Sequence, residues 1–228
     1  MNKVCIIIPA FNEAETIGAV IDEAPLIELK QAGFDVQMVV VDNNSTDGTA
    51  RIAREKGALV ISETRKGKGW AMRTAFEKVD ADYIFMVDAD YTYPLTFVPQ
   101  MLTILVNSYA VVIGSRLTGK REKCAMSWFN LIGNQLLTFM ANLLYPIHTT
   151  DLCSGLWGFR SELVKSLNLT AGGFDLEANL FANIAHSRTP IGQVPIYYRR
   201  RPNRQKLVFI KDGIKIGLKL LKERFTPY

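Results

Sequence analysis

The first ninety residues alternate short apolar runs with polar, helix-forming segments, and each run stops at residues that carry chemistry. Val4 to Ile8 stops at Pro9, with Asn12 and Glu13 just beyond. Val36 to Val41 stops at Asp42, and Ala58 to Ser62 leads into Arg65-Lys66-Gly67-Lys68-Gly69. Tyr83 to Val87 stops at Asp88-Ala89-Asp90. Runs of this length predict buried strands. The segments between them predict helices: about 15 to 32, kinked or divided by Pro25; about 46 to 55, with Ser45 or Thr46 as N-cap; and about 70 to 77. This β-α-β-α-β-α-β order predicts an α/β domain with a mostly parallel sheet and helices on both faces. Ligands bind beyond the carboxyl ends of such strands. The polar strand ends therefore form one site along one sheet edge.

Asp88 and Asp90 are its centre. Two hard oxygen ligands suit a divalent cation that keeps some waters and completes its shell from a diphosphate. A lone Asp-x-Asp is more often an ordinary turn; the company of the other strand ends is what argues for chemistry. Neither Gly-x-x-x-x-Gly-Lys-Ser/Thr nor Gly-x-Gly-x-x-Gly occurs, so a P-loop ATPase or a dinucleotide oxidoreductase lacks its signature. The formal charge of +5 points to an anionic partner: nucleic acid, an anionic membrane or a phosphorylated ligand. Cys5, Cys124 and Cys153 form no Cys-x-x-Cys pattern, which makes a reducing, cytosolic compartment the default. Cys5, inside an apolar run, reads as a small buried hydrophobe. The N-terminal apolar run is too short for a signal peptide.

The second half differs. Val111 to Ser115 predicts a further strand, ending at Arg116, and the basic loop Lys120-Arg121-Glu122-Lys123 follows. From Cys124 to Thr150 there is no Asp, Glu, Lys or Arg. Asn130, Asn134, Gln135, Asn142 and Pro146 argue against a spanning helix. A helix lying on a membrane or against a partner subunit fits, with an ordinary core helix as the alternative. Lys206 to Lys222 predicts a basic amphipathic helix, its lysines at headgroup level or simply on a solvated face.

These motifs together resemble glycosyltransferase family 2, which has the Rossmann-like GT-A fold. Within it the chain is similar to the polyprenyl-phosphate (dolichyl-phosphate) mannose and glucose synthases. The matching pieces are Ile8-Pro9-Ala10-Phe11-Asn12-Glu13, Val41-Asp42-Asn43-Asn44-Ser45-Thr46-Asp47-Gly48-Thr49, Gly67-Lys68-Gly69, Asp88-Ala89-Asp90 and Gly114-Ser115-Arg116, then Asp151-Leu152-Cys153-Ser154-Gly155 and Val194-Pro195-Ile196 before an arginine cluster and Lys206-Leu207. The resemblance implies one GT-A domain over residues 1–205, its nucleotide-sugar half about 1–118 and its acceptor half about 119–205, with residues 206–228 as a basic amphipathic helix.

It also implies roles. Pro9, Phe11, Glu13, Val40 and Asp42 line the nucleoside pocket. Asp88 and Ala89 contact the donor, and Asp90 holds Mg²⁺ or Mn²⁺ on the diphosphate. Thr92 stands where the related synthases carry a metal-binding Gln, and its hydroxyl is the replacement ligand. Arg116, Arg200, Arg201 and Lys206 face phosphates, with Arg199 and Arg204 as alternatives in the same run. The implied catalytic set is Asp88, Asp90 and Arg116.

The implied reaction is displacement at the anomeric carbon of a nucleotide sugar, GDP-mannose or UDP-glucose or UDP-N-acetylglucosamine, by the phosphate oxygen of a polyprenyl (dolichyl) phosphate, with inversion. That oxygen is already anionic, so no base is required; a hydroxyl acceptor would need one. Glu177 is the candidate base for that alternative. A nucleotidyltransferase, and a noncatalytic basic module binding nucleic acid or membrane, are the other readings; the acidic strand ends argue against a nucleic-acid partner. Because a polyprenyl tail stays in the bilayer and the chain ends at Tyr228, a peripheral enzyme on the cytoplasmic face of the membrane is expected. A membrane protein or a second copy of the chain is a further expected partner.

Overall fold

The computed structural model describes residues 1–202 and 209–226. Its strands are β1 (Asn2–Ala10), β2 (Phe34–Asp42), β3 (Leu59–Ser62), β4 (Tyr83–Val87), β5 (Val111–Ser115), β6 (Leu156–Arg160) and β7 (Ile191–Pro195). They form one sheet in the order β3-β2-β1-β4-β6-β5-β7. Every pairing is parallel except those of β6, which runs antiparallel to β4 and β5. The expected mostly parallel α/β sheet is present.

Both faces of the sheet are covered, so the strands read as continuous apolar runs. The two faces divide by the period of two that a strand imposes: Val4, Ile6 and Ile8 enter one core, Cys5 and Ile7 the other. Each such fully buried aliphatic side chain contributes about 1.5–3 kcal/mol. Cys5 is the small buried hydrophobe its position predicts.

Some boundaries differ. Pro25 divides the 15–32 segment into helices Ile17–Asp22 and Leu26–Gln31. The next helix, Thr49–Glu55, starts after Gly48 at φ 87°, not at Ser45 or Thr46. Those two residues are engaged elsewhere: the Ser45 hydroxyl accepts from the Asn12 backbone N–H at 2.9 Å, and the Thr46 N–H donates to Asn12 Oδ1 at 2.8 Å. The helix expected from Trp70 begins two residues earlier, as Lys68–Lys78, which puts Lys68 in its first turn.

The uncharged stretch forms the helix Trp128–Leu144, capped by the Ser127 hydroxyl, and the basic segment forms Phe209–Phe225. The boundary expected at residue 206 lies outside the described residues. The second helix buries Ile216, Leu220 and Glu223 against the domain. It is also tied by polar bonds: Tyr145 Oη donates to the Leu220 carbonyl, and Arg224 Nε to the Leu144 carbonyl, both at 2.8 Å. Among the described residues no helix is long and apolar enough to cross a membrane.

Candidate active site

A cavity of about 460 Å³ opens at the carboxyl ends of β1, β2 and β4. Pro9, Phe11, Glu13, Asp88, Ala89 and Asp90 line it, as the sequence predicts, and so do Arg116 and Arg201. Its far wall comes from the two late helices, through Asn134 and Leu137 of Trp128–Leu144 and Gly213 and Ile216 of Phe209–Phe225.

Other expected residues stand elsewhere. Val40 has no exposed surface and lies in the core beneath the site, because its position on β2 faces a covering helix layer. Asp42 lies outside the cavity wall and accepts the Ser45 N–H at 3.3 Å, shaping the turn after β2. Asn43, the next residue, is the one that reaches the cavity. Thr92 is fully buried, and its hydroxyl donates to Asp90 Oδ1 at 2.5 Å. It holds the acidic residue and does not line the cavity, where the sequence placed it as a replacement metal ligand.

In the arginine run, Arg199 pairs with Glu23 and stacks over Tyr91. Arg200 is exposed, away from the cavity, with its backbone N–H on Glu122. Only Arg201 of these three lines the site. Arg204 and Lys206 lie outside the described residues.

The loops around the cavity are locked locally. Asn43 Nδ2 donates to the carbonyls of Glu63 and Arg65, and its Oδ1 accepts the Gly67 N–H at 2.7 Å. One side chain thus fixes the whole basic glycine loop. Gly67 has φ 135°, and a Cβ there would collide with the Gly172 carbonyl. Gly155 is required for a second reason, since a Cβ there would occupy the space of the Asp88 carboxylate.

Three ion-pair systems set the electrostatics. First, Lys68 Nζ lies 2.5 Å from both Asp88 Oδ1 and Glu177 Oε1. Burial opposes its charge, but the two carboxylates outweigh that and hold its pKa above the ordinary lysine value. Second, Arg201 bridges Glu13 Oε1 at 2.6 Å and Asp90 Oδ2 at 3.0 Å. Burial, then the nearby Asp88 charge, raises the Asp90 pKa. Third, Arg116 donates from Nε and Nη2 to the two oxygens of Asp151, each at 2.7 Å, and its backbone N–H adds a bond at 2.9 Å. Its guanidinium also sits over the Tyr93 and Tyr198 rings. The fork expected to grip phosphate is therefore filled by Asp151. What Arg116 presents to the cavity is charge and an aromatic-backed wall.

The donor set fits a metal delivered with an anionic ligand. Among the described residues no group of three or more His, Cys, Asp or Glu forms a metal cage. Asp90 and Asp88 offer hard oxygens only, which suits Mg²⁺ or Mn²⁺ completing its shell from phosphate and water. A guanidinium already lies against Asp90 Oδ2, so the carboxylate is set up for a cation.

Sequence reasoning did not give Lys68, Asn43 or Asp151 functional roles. Lys68 carried a signal: a lysine between two glycines, opening a helix after a strand. Asp151 opens one of the matching motif pieces, but its pairing with Arg116, 35 residues away in the chain, carried no signal.

An open α/β sheet that turns acidic strand ends and a lysine-bearing glycine loop into one cavity is the frame of a group-transfer enzyme. Residues 5–167 match glycosyl transferase family 2, and the chain belongs to that family; it is a glycosyltransferase. It is 34% identical to glycosyltransferase AglJ of Haloferax volcanii over 228 residues, 99% of this chain and 73% of that protein. It is 31% identical to a dolichyl-phosphate hexose transferase of the same organism over 221 residues, 97% of this chain and 93% of the other. Its fold superposes on glucosyl-3-phosphoglycerate synthase of Mycobacterium tuberculosis in complex with Mn²⁺, UDP and glucosyl-3-phosphoglycerate. The TM-score there is 0.78 at 25% identity, covering 100% of this chain and 81% of that one. The GT-A fold expected from the motifs is thus the fold observed.

Proposed function

We propose that this enzyme transfers a hexose from a nucleotide sugar to a polyprenyl phosphate at a membrane surface, with inversion at the anomeric carbon. The observation that carries the reading is the two-sided cavity. One wall is acidic and basic strand-end chemistry; the other comes from two helices whose outer faces are apolar. A charged donor and an amphipathic acceptor need those two walls. The similarity to a dolichyl-phosphate hexose transferase over nearly both full lengths supports the same acceptor class.

In this reading Phe11, Glu13 and Asn43 frame the nucleoside, and Asp88 is held by Lys68 toward the sugar. Asp90, steadied by Thr92, holds Mg²⁺ or Mn²⁺. The metal, when bound, supplies Lewis-acid stabilisation of the departing diphosphate. Arg201 and Lys66 add positive charge there, and Arg116 contributes field from its place between Asp151 and the two tyrosines. No residue needs to deprotonate the acceptor, because a phosphate oxygen is already anionic. Glu177, the base a hydroxyl acceptor would require, is tied to Lys68.

The membrane contact is the face made by the two late helices. Trp128, Phe129, Leu136, Phe139 and Leu143 are exposed on one; Ile210, Ile214, Leu218 and Phe225 form an exposed stripe on the other. Lys211 and Lys215 follow Ile210 and Ile214 of that stripe, Lys222 follows the exposed Leu221, and all three lysines are exposed. Apolar side chains edged by lysines match the boundary of an anionic bilayer. The face in contact is the cytoplasmic one, where the expected reducing compartment lies. The test is a comparison of acceptors: a short polyprenyl phosphate accepts sugar, and the matching polyprenol does not. Efficient transfer to the polyprenol would move the assignment to a hydroxyl-acceptor enzyme.

A further inference from the structure

We propose that Arg201 is the resident counter-ion of the metal site: it occupies Asp90 when the donor is absent, and metal together with the donor diphosphate displaces it. This rests on the reading of Asp90 as the metal carboxylate but is independent of the acceptor.

The geometry around Asp90 is asymmetric. Oδ1 is used inward, accepting the Thr92 hydroxyl at 2.5 Å and the Thr92 N–H at 3.2 Å. Oδ2 is the oxygen left for the cavity, and Arg201 Nη1 covers it at 3.0 Å. The same guanidinium reaches Glu13 Oε1 through Nη2 at 2.6 Å. It therefore spans the ends of β1 and β4, adjacent strands, from a segment that follows β7 on the far side of the sheet. All three side chains are mostly buried, at 18% exposed for Arg201, 7% for Glu13 and 12% for Asp90. Screening by water and salt is weak in such a place.

The backbone leading to Arg201 is pinned. Arg199 N–H donates to the Thr92 carbonyl at 3.0 Å, Arg199 pairs with Glu23, and Tyr198 packs edge-on against Tyr93. Arg201 can then leave Asp90 by rotating its own long side chain. A guanidinium and a divalent cation held on the same carboxylate oxygen repel each other at close range. The two therefore compete for Oδ2.

Displacement has a natural driving partner. A diphosphate offers the guanidinium a stronger anionic acceptor than either carboxylate, and bidentate geometry with it. Diphosphate thus draws Arg201 away from Asp90, which frees Oδ2 for metal. By reciprocity the metal must tighten diphosphate binding by the same factor. The enzyme would bind metal poorly alone and well with donor, which keeps the site neutralised between turnovers.

The experiment is Mn²⁺ binding followed by electron paramagnetic resonance of the free aquo ion, on the intact protein, with Mn²⁺ alone and with UDP or GDP present. The wild type should bind Mn²⁺ weakly alone and more tightly with one of the nucleotides. Arg201→Gln should bind Mn²⁺ alone about tenfold more tightly, a size typical of coupled sites. Its gain in Mn²⁺ affinity from nucleotide should shrink. Arg201→Lys keeps the charge but cannot span both carboxylates, and should fall between the two; it stands in if the Gln variant does not fold. Arg201→Gln binding free Mn²⁺ no more tightly than wild type would overturn the proposal, as would unchanged coupling. A protein that passes this test yet transfers no sugar to polyprenyl phosphate would refute the acceptor assignment alone.

Discussion

Arg116 and Asp151 form a two-pronged ion pair with both hydrogen bonds at 2.7 Å, and Asp151 has no exposed surface. The pair joins the end of β5 to the turn before β6, so it fixes the part of the cavity wall that Arg116 supplies. A buried pair of this kind is a poor source of net stability, but breaking it is costly because one charge is left without a partner. Asp151→Ala should lower unfolding free energy by about 3–5 kcal/mol. The double variant Arg116→Met with Asp151→Leu should recover much of that loss. Urea denaturation of the three proteins decides it; a double variant as unstable as the single would contradict this account.

Lys68 holds Asp88 and Glu177 together, and its removal leaves the buried Glu177 carboxylate facing the half-buried one of Asp88 without a counter-ion. Lys68→Met should reduce kcat by about 10²-fold, the size expected when a reacting geometry slips by about an ångström. Lys68→Arg should retain more activity than Lys68→Met because it keeps the charge. Steady-state kinetics with a soluble short-chain acceptor reads this without any contribution from membrane binding. Equal loss in both variants would mean that the charge is not what matters.

Glu63 is the first residue after β3, and hydrogen bonds from Arg65, together with Thr74, hold its pKa down at about 2 against an ordinary 4.5. A depressed carboxylate pKa contributes stability above the unfolded value and loses it as pH falls through the folded one. That contribution should be complete above about pH 4.5 and fade toward about pH 2. Glu63→Gln should therefore lower Tm at neutral pH and flatten its fall across that acid window. Thermal melts at closely spaced pH values test it; parallel curves for the two proteins would contradict it.

The exposed apolar faces of Trp128–Leu144 and Phe209–Phe225 predict binding to vesicles without donor or acceptor. Burying one leucine contributes about 1.5–3 kcal/mol, so Leu136→Glu with Leu218→Glu should weaken binding to anionic vesicles by about 10²-fold or more. Both residues are exposed, at 63% and 60%, so the fold should survive. Flotation of wild type and variant with vesicles measures the difference. Retained binding by the double variant would show that this face does not meet the bilayer.

Much of this molecule was legible in its sequence because strand burial and strand-end chemistry are local. The β4 span, Tyr83–Val87, and the cavity positions of Pro9, Phe11, Glu13, Asp88, Ala89 and Asp90 could be read from one apolar run and the residue after it. Three kinds of feature could not. The Thr49–Glu55 start was displaced because Asn12, from another loop, claimed Ser45 and Thr46. Arg116 was read as a phosphate fork because nothing nearby in sequence betrays Asp151. The arginine run could not be sorted by composition: the fold brings Glu23 to the Arg199 guanidinium and Glu13 and Asp90 to that of Arg201, whereas Arg200 meets Glu122 through its backbone N–H. Each miss is a long-range polar pairing, which no periodicity announces.

The central claim is metal-dependent transfer to a lipid phosphate. Purified protein should be given a short polyprenyl phosphate, Mg²⁺ or Mn²⁺, and in turn radiolabelled GDP-mannose, UDP-glucose and UDP-N-acetylglucosamine. Label should enter the organic phase from one of these donors, only with metal present, and Asp90→Ala should abolish it while remaining folded. No organic-phase label from any donor, with sugar passed instead to a soluble hydroxyl acceptor, would contradict the account.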